Sequence, residues 1–388
     1  MMRKYAALLI TFAAVSIQIN AQEARFDSIV VEGIKQVYRI EFETANKTFQ
    51  KLITDYPNHP AGYFFIAMID WWHILLDTST DQYDELFFEK IDNVIERCDK
   101  ILEEDPNNVD ALFFKGGSIG FKGRLNSLRD DWLSAADNGR IALPLVEQAG
   151  ELDPVNVDVQ LGFGIYNYYA AVIPEEYPIV KPLMIFLPSG DKELGIKQLN
   201  SIAESGKYTK YEAQYFLMTL YYNFEKDFHS AEGYSIMLNK EFPNNPVFER
   251  WRGRIAIKNS DIVLADTIFK RILWKADKNL PGYNTPRTIR EASYYVAYRY
   301  RTLGMNDSAQ VYFEDCVEYS MKVDENRESG FLINATLYLG IIKEVKKEYA
   351  AAKMYYEKVL DMKEFANSHT LASDYLERIE KIENSGNR

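Results

Sequence analysis

Histidine and cysteine are scarce in this chain. Its 388 residues include four histidines, His59, His73, His229 and His369, and two cysteines, Cys98 and Cys316. No histidine is spaced with Glu or a second His as a zinc motif demands, so no metal site is expected. The two cysteines are far apart, each on the apolar face of an expected helix. Two buried free thiols are therefore favoured over the single disulfide that an exported chain could form. Positive charge is also short: 45 Lys and Arg stand against 57 Asp and Glu, a formal net charge of −12 with an isoelectric point near 5.1. Such a chain lacks the basic footprint of a nucleic-acid binder and the charge to dock on anionic lipid.

Other absences narrow the chemistry. There is no Walker A loop and no nucleophile elbow. Gly116-Gly117-Ser118-Ile119-Gly120 and Gly162-Phe163-Gly164 are glycine clusters, but they lie inside helical segments, where small residues permit close packing. Acidic pairs such as Glu175-Glu176 and Asp130-Asp131 have nothing beside them that would set one carboxyl apart from the other. Trp71-Trp72-His73 falls at helical spacing and reads as core. No catalytic residue, cofactor or metal is assigned.

Beyond the first residues no run of about 18 apolar residues occurs. MMRK, with Arg3 and Lys4, precedes the short apolar stretch AALLITFAAVSI (Ala6 to Ile17) and a small-residue site at Ile19-Asn20-Ala21. This is the pattern of a cleaved signal peptide, too short for a comfortable membrane span, and no Cys follows it for lipid attachment. Its removal takes two positive charges and leaves a net charge of about −14. The chain is expected to be exported, periplasmic or secreted, without a transmembrane segment after cleavage.

What the chain has in quantity is apolar and aromatic surface, 47% hydrophobic with 27 Tyr and 22 Phe, and it is written in repeats. YPNHPAGYFFIA, DPNNVDALFFKGG, DPVNVDVQLGFG and FPNNPVFERWRG share a turn proline, an Asn and then an apolar run. Pro57, Pro106, Pro154 and Pro243 are expected to close one helix and Asn to cap the next. From Glu212 onward, four blocks place small residues or Thr at offset 8 (Thr219, Gly253, Ala297, Gly340) and Ala at offset 20 (Ala231, Ala265, Ala309, Ala352). Two antiparallel helices cross closely only where side chains are small; the residues at offsets 24 and 27 are expected to fill the seam with the next hairpin. Ala231 to Ala265 is 34 residues, and the next steps are 44 and 43, with KADKNLPGYNTPRT (Lys275 to Thr288) read as a longer connection. Earlier, Ala45, Phe49 and Leu52 mark one second helix, and Ala142, Val146 and Ala149 another. These residues resemble the tetratricopeptide repeat (TPR), which implies an all-α superhelical solenoid of antiparallel helical hairpins.

A second resemblance lies in Leu161 to Leu217. Gly162-Phe163-Gly164, then Tyr166, Tyr168 and Tyr169, then Pro174, then Gly190-Asp191 and Glu193-Leu194-Gly195 form an ordered pattern. It is similar to the central part of the eukaryotic tetratricopeptide repeat protein 39 family, its fungal inclusion-body-clearance relative and exported bacterial repeat proteins. That likeness implies a non-catalytic scaffold; the family's intracellular placement does not carry over to a chain with a signal peptide. Prolines 174, 178, 182 and 188 are expected to forbid a continuous helix, PLMIFLP to pack back on the solenoid, and Ser189 or Asp191 to cap a helix from near Lys192.

The expected organisation is 1–21 signal peptide, 22–160 irregular hairpins, 161–210 a hairpin with a proline-rich insertion, 211–365 regular repeats, and 366–388 a charged, amphipathic capping helix and tail. Counting along each first helix places Phe216, Leu220 and Asn223, then Arg250, Arg254 and Lys258, then Tyr294, Tyr298 and Arg301 on a concave groove. Such a basic, aromatic strip suits a carboxylate or an acidic peptide; the plainer reading pairs these arginines with neighbouring Asp and Glu. Three functions follow: a scaffold for a peptide or protein partner of the cell envelope, a small-molecule binder with an aromatic-lined cavity closed by residues 161–188, and an enzyme, for which a buried titratable cluster is needed.

Overall fold

Short polar side chains set the helix starts. Asn108 Oδ1 accepts from the Ala111 N–H at 3.0 Å, and Asn245 Oδ1 accepts from Val247 and Phe248 at 2.9 and 3.2 Å. Asp191, of the two expected caps, accepts from Leu194 at 2.9 Å. Each bond satisfies an N–H that the helix itself leaves without a partner. In YPNHP the cap is a histidine: His59 Nδ1 accepts from the Ala61 N–H at 3.1 Å. Pro57, Pro106, Pro154 and Pro243 each stand two residues beyond a helix end, as their turn chemistry requires.

The computed structural model describes residues 22–184, 188–324 and 327–386. The signal-peptide expectation and residues 185–187 of PLMIFLP lie outside them. No strand occurs among the described residues. The helices pair in order as antiparallel hairpins: α1 (22–38) with α2 (Phe42–Asp55), α3 (Ala61–Leu76) with α4 (Asp84–Glu104), and α5 (Val109–Leu128) with α6 (Trp132–Leu152). Then α7 (Gln160–Glu176) pairs with α9 (Lys192–Ser205), the short α8 (Lys181–Met184) lying between, and α10 (Lys210–Leu220) with α11 (Phe228–Glu241). The last three hairpins are α12 (Pro246–Lys258) with α13 (Ile262–Asp277), α14 (Pro286–Thr302) with α15 (Asn306–Val323), and α16 (Gly330–Val345) with α17 (Tyr349–Leu360), followed by α18 (Ser368–Gly386). The fold divides into two units, Met1–Leu75 with Asp81–Pro243, and Leu76–Thr80 with Asn244–Arg388. That division falls inside the 211–365 segment read as one run of repeats.

The small residues do what hairpin crossing demands, with one adjustment. A Cβ on Gly253 would stand 2.7 Å from the Phe269 ring, and one on Gly340 2.5 Å from Tyr356. Offset 24 therefore packs onto offset 8 of its own hairpin, where the sequence placed it in the seam. Phe269 also stacks on Tyr295 of the next hairpin at 4.6 Å, so the ring serves both contacts. Pro174 sits within α7, which ends two residues later. A proline this close to a helix end forfeits little of the backbone ladder, and the break falls at Tyr177. Gly195 brings α9 against the α7 backbone: a Cβ there would lie 2.6 Å from Tyr168 N and 2.8 Å from the Gly164 carbonyl. Because both obstacles are main chain, Gly195→Ala will overpack the crossing by ~1–3 kcal/mol, offset by up to ~1 kcal/mol of helix propensity. Urea unfolding will read the net destabilisation.

The first unit closes on itself. Tyr38 Oη of α1 donates to Glu212 Oε2 of α10 at 2.9 Å across 174 residues, and Lys207 Nζ donates to Asp27 at 2.7 Å. Arg124 of α5 completes the junction by pairing with Glu212. Its guanidinium lies 4.4 Å from the Phe216 ring centre, 4.8 Å from Trp71 and 5.5 Å from Tyr215. The inner side of this unit is thus filled by aromatic rings around one paired cation.

Candidate functional site

In the second unit the first helices of successive hairpins present one face with a basic end and an aromatic end. On α14 the residues Arg287, Glu291, Tyr294, Tyr298 and Arg301 recur every three or four positions and so share a side of the helix. Thr285 caps this helix and Pro286 opens it, Thr285 Oγ1 accepting from the Thr288 N–H at 3.3 Å.

At the basic end, Glu291 is buried at 1% exposure and held by two arginines of α12. Arg250 Nε donates to Glu291 Oε2 at 2.8 Å and Arg254 Nη2 donates to the same oxygen at 2.7 Å. Burial alone would push this carboxyl up; the Arg254 and Arg250 charges overcome it and hold the group at about 2. Arg290, on the adjoining side of α14, pairs with Asp324 and lies 5.1 Å from the Phe331 ring of α16. Its Nε is buried without a hydrogen-bond partner among the described residues. Arg287, half-buried, has neither hydrogen bond nor ion pair among the described residues. Burial first, then repulsion from Arg250 and Arg254, brings its guanidinium down to about 9.

At the aromatic end Tyr294 packs edge-on to Phe331 at 5.2 Å, and Tyr298 approaches Tyr338 of α16 at 6.2 Å. Arg301 lies over the Tyr338 ring at 4.5 Å, within cation–π range. Burial pushes the Tyr294 and Tyr338 hydroxyls up from their ordinary value.

Of the nine residues placed on a groove by sequence, Arg250, Arg254, Tyr294, Tyr298 and Arg301 come together on this face, and Lys258 is exposed at the end of α12. The other three belong to the first unit. Leu220 is fully buried with Tyr168, Leu199 and Leu217, and Phe216 is buried against Arg124, so both are core residues and not groove surface. Asn223 is exposed. The physical reason is the closure of that unit, which turns its inner side into packing. Arg250 and Arg254 follow the plainer expectation and are engaged by Glu291. Sequence reasoning missed Arg287, Glu291 and Tyr338; Thr285-Pro286 is the helix-start signal that would have moved Arg287 from loop to helix.

Other candidates resolve into packing. Cys98 and Cys316 are free and buried, each thiol pushed up to about 12 by desolvation. Trp71 and Trp72 are core, and His73 stacks on Tyr83 at 4.4 Å with the tilted Phe42 ring at 4.3 Å. Among the described residues, no group of three or more His, Cys, Asp or Glu is placed to hold a metal ion, and no helix is long and apolar enough to cross a membrane.

No family model and no curated protein matches this chain. Among solved structures it is similar to the C-terminal part of a TPR repeat-containing protein from Cytophaga hutchinsonii, at 17% identity over 80% of this chain and 98% of that one, with a TM-score of 0.36. Yeast Tom70 aligns at 11% identity over 90% and 87%, with a TM-score of 0.38. Human IFIT1, as a dimer with m7Gppp-AAAA, aligns at 11% over 93% and 87%, with a TM-score of 0.41. Values this low add nothing to what the hairpin crossings establish for themselves. Paired antiparallel helices, glycines at several of their crossings and capped proline turns make the chain an all-α, TPR-like solenoid.

Proposed function

We propose that this protein is an exported, non-catalytic scaffold that binds a peptide or protein segment of the cell envelope along the α12, α14 and α16 face. One observation carries the reading: the row Arg287, Glu291, Tyr294, Tyr298 and Arg301 sets half-buried guanidinium and tyrosine surface side by side on one helix. Arginine and tyrosine offer directed hydrogen bonds and large apolar area at low entropic cost, the chemistry of protein-binding hot spots. Export rests on residues 1–21 alone, with their basic start, short apolar stretch and small-residue end. A likeness of Leu161–Leu217 to the tetratricopeptide repeat protein 39 family agrees with a scaffold. The rival reading, a small ligand in an aromatic-lined cavity closed by residues 161–188, finds less support. The rings lining the inner side of the first unit are already packed around Arg124.

The test is affinity capture from envelope extract with the wild-type protein beside a Tyr298→Ala, Arg301→Ala double variant, followed by titration of whatever is captured. Both side chains are half-buried and outside the Glu291 pairs, so folding should persist. The expected result is one captured partner whose affinity drops at least tenfold, about 1.4 kcal/mol, in the variant. Undiminished capture would remove this face from the reading.

A further inference from the structure

The arginines of this face are not matched by the acids around them. Arg250, Arg254 and Arg287 act on one another and on Glu291, and Asp77, on the Leu76–Thr80 segment of the same unit, also acts on Arg250. Among the described residues these three guanidinium groups meet Glu291 and Asp77, and the neighbouring Arg290 pairs with Asp324. The group left without a hydrogen bond has a location. Arg250 and Arg254 both donate to Glu291, whereas Arg287, one turn before Glu291 on α14, donates to nothing among the described residues. Beside it, Arg290 is 7% exposed and its Nε hydrogen has no acceptor there. Removing a guanidinium from water without a partner is costly, and a folded chain that keeps one half-buried beside like charges holds a donor fork ready for an anion.

We propose that this end of the face is a carboxylate-binding site in which the half-buried Arg287, left without a partner among the described residues, takes the incoming group bidentately. The proposal rests on the reading of the face as the partner-binding surface and gives that partner a chemistry: a carboxylate presented next to an apolar or aromatic side chain. A single guanidinium fork matches the planar two-oxygen edge of a carboxylate and brings one positive charge against a phosphate dianion's two. Phe331 under Arg290 and Trp251 under Arg254 at 5.0 Å supply apolar surface for the side chain that follows. A carboxylate of this kind comes either from a chain's C-terminus or from an Asp or Glu side chain.

Thermal melting of the full chain separates these sources. The probes are N-acetylalanine, whose carboxylate is C-terminal, N-acetylglutamic acid α-amide, whose carboxylate is on the side chain, and inorganic phosphate, each at up to about 100 mM and matched ionic strength. Without probe, Arg287→Leu should melt about 2–4 °C above wild type, because it deletes an unpaired, repelled cation. With probe, at least one carboxylate should raise the wild-type midpoint more than phosphate does, and the rise should vanish in Arg287→Leu. Arg287→Lys, which keeps the charge and loses the fork, should retain only part of it. Equal rises in wild type and Arg287→Leu, no rise with either carboxylate, or a larger rise with phosphate would each overturn the proposal. Partner capture that persists without a carboxylate response sinks this site and spares the scaffold. A carboxylate response with no partner captured does the reverse.

Discussion

Glu291→Gln will cost the second unit about 3–5 kcal/mol, the usual penalty for removing one partner of a buried ion pair. The substitution leaves shape nearly unchanged but strands Arg250 and Arg254, whose guanidinium groups both converge on this one carboxylate. It also removes the carboxylate that acts on Arg250, Arg254 and Arg287 alike. Chemical unfolding followed by Trp fluorescence will show the loss as a lower midpoint for the transition that includes α12 to α16. Acid reports on the same contact. The Glu291 carboxyl is held at about 2, below its ordinary value of 4.5. A depressed carboxylate contributes stability that is complete above the unfolded-state value and is lost as pH falls from about 4.5 toward about 2. The wild type should therefore lose second-unit stability across that window, and Glu291→Gln should show a flatter dependence. A variant as stable as wild type, with an unchanged acid profile, would mean that the pairs contribute nothing.

Glu212→Gln will have an effect of the same order on the first unit, about 3–5 kcal/mol, with a different signature. Among the described residues, Glu212 is the acid that answers Arg124 and receives the Tyr38 hydroxyl. Losing its charge leaves Arg124 enclosed by Trp71, Phe121, Tyr215 and Phe216 with no counter-ion. Because this contact joins α1 to α10, hydrogen exchange should accelerate in both helices together, and less in α4 and α6. Faster exchange confined to α10 would show that the junction does not hold the unit closed.

Much of the fold was legible because it is governed by local chemistry. Turn prolines, Asn and Asp caps and small residues at helix crossings act within a few residues of where they are written, and most were found in the expected role, His59 standing in for an Asn cap in the first turn. The exceptions also have local causes. Lys275 to Thr288 was read as a long connection, yet Thr285 caps and Pro286 opens α14, so that helix begins four residues ahead of the repeat frame that starts at Arg290. The site was less legible, since it depends on distances between hairpins. Nothing near Glu291 in the sequence marks it as the acid that engages Arg250 and Arg254, 41 and 37 residues away. Phe216 and Leu220 occupy groove positions by count, but closure of the first unit converts those positions into core. Arg287 stands out only once every other arginine near it has been given its partner.

The junction of α1 with α10 also bears on how the chain reaches its native state. In an open array of hairpins each repeat meets only its neighbours, so order can grow from any point and fray from either end. Here Asp27 and Tyr38 must wait for Lys207 and Glu212, 180 and 174 residues further along. The five hairpins that these contacts span can form from near-neighbour contacts during synthesis, but the latch closes only when the last of them exists, and it carries the entropy of a long loop. Once shut, it ties the first hairpin's fate to the fifth's, and a linear stack gains the all-or-none character of a globular domain.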